Sequence, residues 1–280
     1  MTVSSDRLKY FAAFVRREIG QAIDDSKLYL IRTRLLPMAR AQGLASLDEL
    51  IDMIRRDEKG EVARMALDKM TTNETLFFRD AYPFKVLEKE LFPSLGREKG
   101  FSGRIRIWSA AASTGQEAYS IAMTAKQCLP AAESRVKITA TDISAAAIAY
   151  AKQGLYKQME VQRGLPVQTL VTHFEQQDSH HWQVKANLKS MVRFQQENLI
   201  SPRLVSALQQ DGPFDIVFCR NVLIYFDVEQ RKQVIDSIAQ LMEVGGWLFT
   251  GAGEMVTGNR SSWSVQRIEN RPVWRLVSKH

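Results

Sequence analysis

Through residue 70, apolar positions recur at three- and four-residue steps. Leu8, Phe11, Phe14 and Val15 form one set, and Leu47, Leu50, Ile51 and Ile54 another. This is the spacing of helices with one buried face. Between them, residues 26–43 carry Leu28, Leu30, Ile31, Leu35, Leu36 and Met38, with Pro37 marking a kink or a break between two helices. The stretch 70–82, MTTNETLFFRDAY, opens on cap and turn formers, with Glu74 three residues after Thr71 as in a capping box. It predicts a helix start whose core residues are Phe77 and Phe78. A further helix with Leu87, Leu91 and Phe92 leads to Pro93, and 96–103 reads as a charged loop.

Beyond residue 104 the pattern changes to short apolar runs: Ile105, Ile107 and Trp108, then 136–141, 216–218 and 247–250. They alternate with helical stretches at 116–126, 144–153 and 228–242, the last closed by Gly245 and Gly246. Strands that alternate with helices predict an α/β domain with a parallel sheet. The rhythm breaks over 156–194. There, Gly164-Leu165-Pro166, a helical piece near 169–174 and two alternating runs, 181–184 and 190–194, predict a small antiparallel insert. The chain closes on a final antiparallel pair, 264–268 with 273–277. The expected division is a helical domain over 1–90, an α/β domain over 91–280, and a β-subdomain inserted over 157–195.

Composition narrows the class without choosing a function. At 280 residues, 45% hydrophobic and 25% charged, the chain has ample material for one large or two modest globular domains. No apolar run approaches the roughly 18–20 residues needed to span a bilayer. The opening MTVSSDRLKY lacks a signal peptide's apolar segment, so a cytoplasmic protein is expected. Cys128 and Cys219 form no metal or redox spacing, and the histidine pair His180-His181 belongs to no H-E-x-x-H motif, so no metal is expected. The net charge of +7 favours an acidic partner. Part of it lies in 26–43, where Lys27, Arg32, Arg34 and Arg40 stand with no acid among them. That basic face is either a solvated surface or a docking face for acidic helices.

Candidate chemistry centres on 104–119, RIRIWSAAASTGQEAY. A short strand runs into seven residues without a bulky side chain and then into a helix. Bare backbone at a helix N-terminus suits a carboxylate or phosphate. The next apolar run ends at Asp142, where an acid commonly holds ribose hydroxyls. Gly115 is the loop's only glycine, so the dinucleotide pattern G-x-G-x-x-G is absent. This leaves room for a nucleoside with a smaller charged tail, such as S-adenosylmethionine. The same stretch also fits an ordinary buried strand and turn of an α/β protein.

Several blocks then coincide in order across residues 10–255: TTNETLFFRD, WSAAASTGQEAYSIAM, TATDIS, ENL, FCRNVLIYFD and GGWLFTGAGE. Together they resemble the CheR-type chemotaxis receptor methyltransferases, which are S-adenosylmethionine-dependent protein-glutamate O-methyltransferases. The resemblance implies an N-terminal all-α domain, a Rossmann-like methyltransferase domain and an inserted antiparallel β-subdomain. It implies S-adenosylmethionine as cofactor and S-adenosylhomocysteine as product. The implied partner is the cytoplasmic helical bundle of chemoreceptors, with a receptor C-terminal peptide at the β-subdomain in some members. Neither nucleic acid nor membrane insertion is implied, and the protein is expected to be a monomer.

By motif, Asn73, Thr75 and Arg79 match the N-terminal cofactor contacts, Glu117 the acid after the small-residue loop, and Asp142 the ribose acid. Asn198 and Leu199 match the adenine-side segment, Arg220 and Asn221 the last cofactor contacts, and Tyr225 a tyrosine beside the transferred methyl. Arg79 and Tyr225 are the catalytic candidates; Lys27, Arg32, Arg34 and Arg40 would steer substrate docking. The chain departs from the family at Gln116 and Ala118, where STGEEPYS is more usual. It departs again at FTGAGE, in place of a GHSE-like ending, on a strand expected to lie far from the chemistry. Two rivals remain: a nucleic-acid methyltransferase, although 220–223 reads RNVL where base methylation usually shows D/N-P-P-Y/F, and a cofactor-sensing adaptor without turnover.

Overall fold

The computed structural model describes residues 4–258 and 260–279. Its contacts divide the chain into two compact units, one of 1–72 with 224–230, the other of 73–223 with 231–280.

The helical unit contains α1 (Ser5–Ile19), α2 (Leu28–Ala41), α3 (Leu47–Arg56) and α4 (Glu61–Met70); α1 and α3 bury the periodic positions read from the sequence, while in α2 Ile31, Leu35 and Met38 are buried and Leu28, Leu30 and Leu36 are half-buried. Phe11, Val15, Ile31, Leu35, Leu50, Ile51 and Ile54 are all fully enclosed. The α1 helix ends on Gly20, whose left-handed backbone lets its N–H reach Arg16 O. Ser46 caps α3 by accepting from Glu49 N, while Glu49 accepts from Ala45 N. Pro37 neither breaks nor ends its helix, since α2 runs through it. Residues 224–230 join this unit through Ala22 N–H donating to Tyr225 O and an Arg16–Asp227 ion pair of 2.6 Å.

The second unit is an α/β domain. Its strands are β1 (Ile105–Ala110), β2 (Val136–Asp142), β3 (Leu155–Lys157), β4 (Phe174–Gln176), β5 (His181–Val184), β6 (Val192–Gln196), β7 (Phe214–Cys219), β8 (Met242–Thr250), β9 (Trp263–Ile268) and β10 (Arg271–Leu276). The main sheet has the order β6-β2-β1-β7-β8-β10-β9; β3-β5-β4 form a separate three-stranded antiparallel sheet. From β6 to β8 the pairing is parallel, and β10 and β9 add an antiparallel edge. The inner strands are largely buried because both faces of the sheet are covered: all six residues of β7 are buried, Asp215 among them. Every parallel strand therefore ends on the same edge of the sheet, where open α/β sheets bind ligands.

Four expectations need correction. No helix starts within 71–81: Thr71 Oγ1 donates back to Asp68 O and ends α4, and the next helix begins at Tyr82. The contacts divide at Thr72 and not near 90, because Phe77, Phe84, Leu87, Leu91 and Phe92 lie in the α/β core. The run 190–194 contributes not to the small sheet but to β6, the parallel edge of the main one, so the insert is narrower than 157–195. Gly245 and Gly246 do not terminate a helix. They lie in a bulge of β8, whose register against β7 jumps from Phe214↔Met242 to Ile216↔Trp247.

Candidate functional site

Two carboxylates define the site at the C-terminal edge of the sheet. Asp142, the last residue of β2, accepts Ser113 N–H at 2.7 Å through one oxygen and Ser144 N–H at 2.9 Å through the other. It thereby ties the small-residue loop after β1 to the start of the helix Ala145–Gln153, which Ser144 itself caps. The loop bends sharply: Ala111, Ser113 and Gly115 all have positive φ, at 115°, 51° and 95°. A Cβ on Gly115 would stand 2.8 Å from that of Ala151 and 3.0 Å from the Tyr156 hydroxyl, so glycine is required there on two counts. Ser113 Oγ donates to Asn73 O at 2.9 Å and brings the first cofactor candidate of the 73–79 segment onto the loop. Beyond β6, Glu197 N–H donates to Asp142 O, which places Asn198 and the buried Leu199 next to the same strand end.

The second carboxylate is Glu117, in the first turn of the helix Gln116–Cys128. One of its oxygens accepts Ser109 Oγ–H at 2.7 Å and the other pairs with Arg220 Nη1 at 2.9 Å. Arg220, at the end of β7, also pairs with Asp80 at 2.6 Å and donates to Arg79 O. Its side chain is 2% exposed, against 12% for Glu117 and 37% for Asp80. Burial, together with Glu254 and Glu117 nearby, pushes the Cys219 thiol up, so this cysteine stays neutral.

Arg79 itself donates to Glu74 O at 2.9 Å from a half-buried position. Thr75 is half-buried on the same segment. That segment is held by Phe77, edge-on to Tyr156 and Phe174, and by Phe78 N–H donating to Ser120 Oγ. Asn221 follows Arg220 with φ of 58°, and its N–H donates to Glu254 at 2.8 Å.

The structure thus gathers Asn73, Glu117, Asp142, Asn198, Leu199, Arg220 and Asn221 along one edge, with Arg79 beside Arg220 through its carbonyl. Tyr225 falls in the segment that packs with the helical unit. Of the four docking candidates, Arg32 and Arg40 are exposed, and Lys27 is exposed but paired with Asp24 at 3.2 Å. Arg34 departs from the expectation of a free docking cation. Its guanidinium donates to Met70 O, Thr71 O and Thr72 Oγ1 and closes the C-terminus of α4. Sequence reasoning missed Asp80, Ser113 and Glu254. Asp80 was visible as the acid that ends FFRD. Glu254 belongs to the FTGAGE strand, expected to lie far from the chemistry, yet its carboxylate touches the backbone of Asn221.

The fold and this edge define a Rossmann-like methyltransferase of the S-adenosylmethionine-dependent class. The sequence model of the CheR methyltransferase all-alpha domain matches residues 6–71, and that of the CheR methyltransferase SAM binding domain matches 73–271; the two meet where the contacts divide the chain. Over 279 residues the chain is 39% identical to a chemotaxis protein methyltransferase of Vibrio parahaemolyticus, covering 99% of this chain and 98% of that one. Chemotaxis protein methyltransferase 1 of Pseudomonas aeruginosa is 38% identical over 91% of this chain and 92% of its own. The Escherichia coli chemotaxis protein methyltransferase is 31% identical over 91% and 86%. This chain belongs to the CheR methyltransferase family, and its cofactor is S-adenosylmethionine. The residues present fit that group. Asp142 offers an ionisable acceptor at a strand end, and Arg220 Nε is a buried donor with no hydrogen-bond partner among the described residues.

Proposed function

We propose that this protein transfers the methyl group of S-adenosylmethionine to glutamate side chains on the cytoplasmic helices of chemoreceptors, giving glutamyl methyl esters. The observation that carries this reading is the arrangement of Asp80, Arg220 and Glu117. Two carboxylates against one guanidinium leave one net negative charge in a cluster whose Arg220 and Glu117 are largely enclosed and whose Asp80 faces outward, a setting that favours a cationic group beside it. When bound, the cofactor supplies an electrophilic methyl on a sulfonium. Asp142 would hold the ribose hydroxyls, Asn198 and Leu199 the adenine side, and Asn73, Thr75, Glu117, Arg220 and Asn221 the amino-acid end. Arg79 would hold an anion, either the cofactor carboxylate or the incoming glutamate, and Tyr225 would line the methyl path on the strength of its FCRNVLIYF block.

A glutamate has a reference pKa of about 4.3 and is already ionised at neutral pH, so it needs no general base. The work left to the protein is alignment and exclusion of water, which can lower a barrier by up to roughly 7–11 kcal/mol in the best cases. Exposed Arg32 and Arg40, with Lys27, would steer the acidic receptor helices. The β3-β5-β4 sheet would take a receptor tail peptide, and the protein would act in the cytoplasm as a monomer. Among the described residues no helix is long and apolar enough to cross a membrane.

The test is transfer of tritium from labelled cofactor to a receptor cytoplasmic fragment. Base-labile label in the fragment is the expected result. Label that survives base, or label in nucleic acid instead, would overturn the substrate assignment.

A further inference from the structure

The β7–β8 ladder ends at Cys219↔Thr250, so the backbone N–H groups just beyond it, on Asn221 and Gly251, no longer face a strand partner. Both donate to a single carboxylate oxygen, Glu254 Oε2, at 2.8 Å and 2.6 Å. Glu254 is 6% exposed. Its own backbone is pinned by two further bonds, Glu254 N–H to Gly251 O at 3.0 Å and Thr250 Oγ1 to Glu254 O at 2.9 Å. Gly251 leaves no room for a side chain, since a Cβ there would stand 2.5 Å from Glu254 Oε2, 2.8 Å from Asn221 N and 3.0 Å from Asn221 Nδ2. Asn221 is therefore held from two sides in a left-handed conformation.

We infer that Glu254 is a positioning residue for methyl transfer, which acts through Asn221 by fixing its backbone at the C-terminal end of β7. The inference rests on the proposed role of Asn221 as a cofactor contact. A carboxylate oxygen shared by two backbone N–H groups is a strong clamp, and its loss frees the Asn221 peptide to leave its left-handed conformation.

The test uses the full chain and S-adenosylhomocysteine as probe, with affinity from calorimetry well below the melting transition. Glu254→Gln keeps a carbonyl oxygen at the position of Oε2 and is expected to bind within about threefold of wild type. Glu254→Ala and Glu254→Asp, whose reach falls short, are expected to bind about tenfold more weakly or worse, a change of about 1.4 kcal/mol per tenfold. Gly251→Ala should weaken binding similarly, because the new methyl would stand 2.5 Å from Glu254 Oε2 and 2.8 Å from Asn221 N and force the two apart. In an Asn221→Ala background, Glu254→Ala should cost nothing further. Equal affinity for wild type and folded Glu254→Ala, whatever the loss of melting temperature, would show a purely structural role and overturn the inference. So would an undiminished tenfold effect in the Asn221→Ala background. If Glu254→Ala fails to fold, Gly251→Ala and Glu254→Asp decide by the same criteria. Failure of wild type to bind the probe would instead remove the methyltransferase reading on which the inference stands.

Discussion

Replacing Arg220 by Met isolates the cluster that links three segments of the α/β unit. The substitution keeps much of the volume but deletes one charge and the bonds to Glu117, Asp80 and Arg79 O. Asp80, at 37% exposure, can be rehydrated, whereas Glu117, at 12%, keeps among the described residues only the Ser109 hydroxyl as a donor beside it. Removing one partner of a buried pair typically costs about 3–5 kcal/mol, most of it the stranded charge. The lower end applies here because Glu117 is not fully enclosed. For a unit of this size that is a fall in melting temperature of roughly 6–12 °C. Glu117→Gln should cost less, since Arg220 retains Asp80, and the double variant should cost less than the sum, with a coupling of about 1–3 kcal/mol. All five tryptophans, Trp108, Trp182, Trp247, Trp263 and Trp274, lie in this unit, so urea denaturation followed by indole fluorescence reports it without interference from the helical unit. Additive losses, with a coupling below about 0.5 kcal/mol, would refute the view that the two side chains form one electrostatic unit.

The helical unit yields two further predictions. Arg34→Ala should lower its stability by about 1 kcal/mol or more, because three acceptors at the end of α4 lose their donor, whereas Arg32→Glu and Arg40→Glu should leave stability within about 0.5 kcal/mol and raise the apparent KM for a receptor fragment in a salt-dependent way. An Arg34 variant with unchanged melting and a raised KM would reverse that division of labour. The Tyr10 hydroxyl is pushed up to about 12 by burial and by its hydrogen bond to Glu58, so it favours folding fully below its unfolded pKa of about 10 and loses that contribution between pH 10 and 12. Glu58, held below the usual carboxylate range by the same bond, contributes above its unfolded pKa and loses its share as the pH falls through its folded value. The stability difference between wild type and Tyr10→Phe should therefore be level near neutrality and vanish by about pH 12; a difference that persists there would contradict the assignment.

The elements legible in the sequence were those whose burial is decided by period. The α1 and α3 faces and the runs of β1, β2 and β7 needed only the count of apolar positions, because both faces of a central parallel strand are covered. Alternation misled at β6: the run 190–194 alternates over Val192, Arg193 and Phe194 because an edge strand is half-exposed, which holds for a parallel edge as well as for an antiparallel hairpin. The capping-box pattern at 71–74 misled for a different reason. Thr71 had two local acceptors to choose between and bonded backwards to Asp68 O, a competition that composition cannot settle. Arg34 looked like its neighbours in the basic run, and only the return of α4 revealed the carbonyls waiting for it. The site was legible as a set of motifs, yet its wiring was not. Asp142, Glu117 and Arg220 could each be assigned a ligand from the sequence, but in the structure each first holds another part of the protein in place.

That wiring accounts for the backbone strain at this edge. Phe78, Asp80, Ala81, Ala111, Ser113 and Asn221 all have positive φ without being glycine, and all six lie in the segments that meet at the C-terminal edge of the sheet; among the described residues Ala131, Glu269 and Asn270 share that backbone conformation elsewhere in the fold. Each such residue costs of order 1–3 kcal/mol and persists only where its surroundings over-determine it. The surroundings are the same bonds that assemble the site: Asp142 to Ser113 N, Arg220 to Asp80 and to Arg79 O, and Glu254 to Asn221 N. The carboxylates and the arginine that line this edge therefore serve first to hold an otherwise unfavourable backbone in shape. A cofactor would meet a surface already set, with little left to order on binding, which is how pre-organisation turns fold stability into affinity.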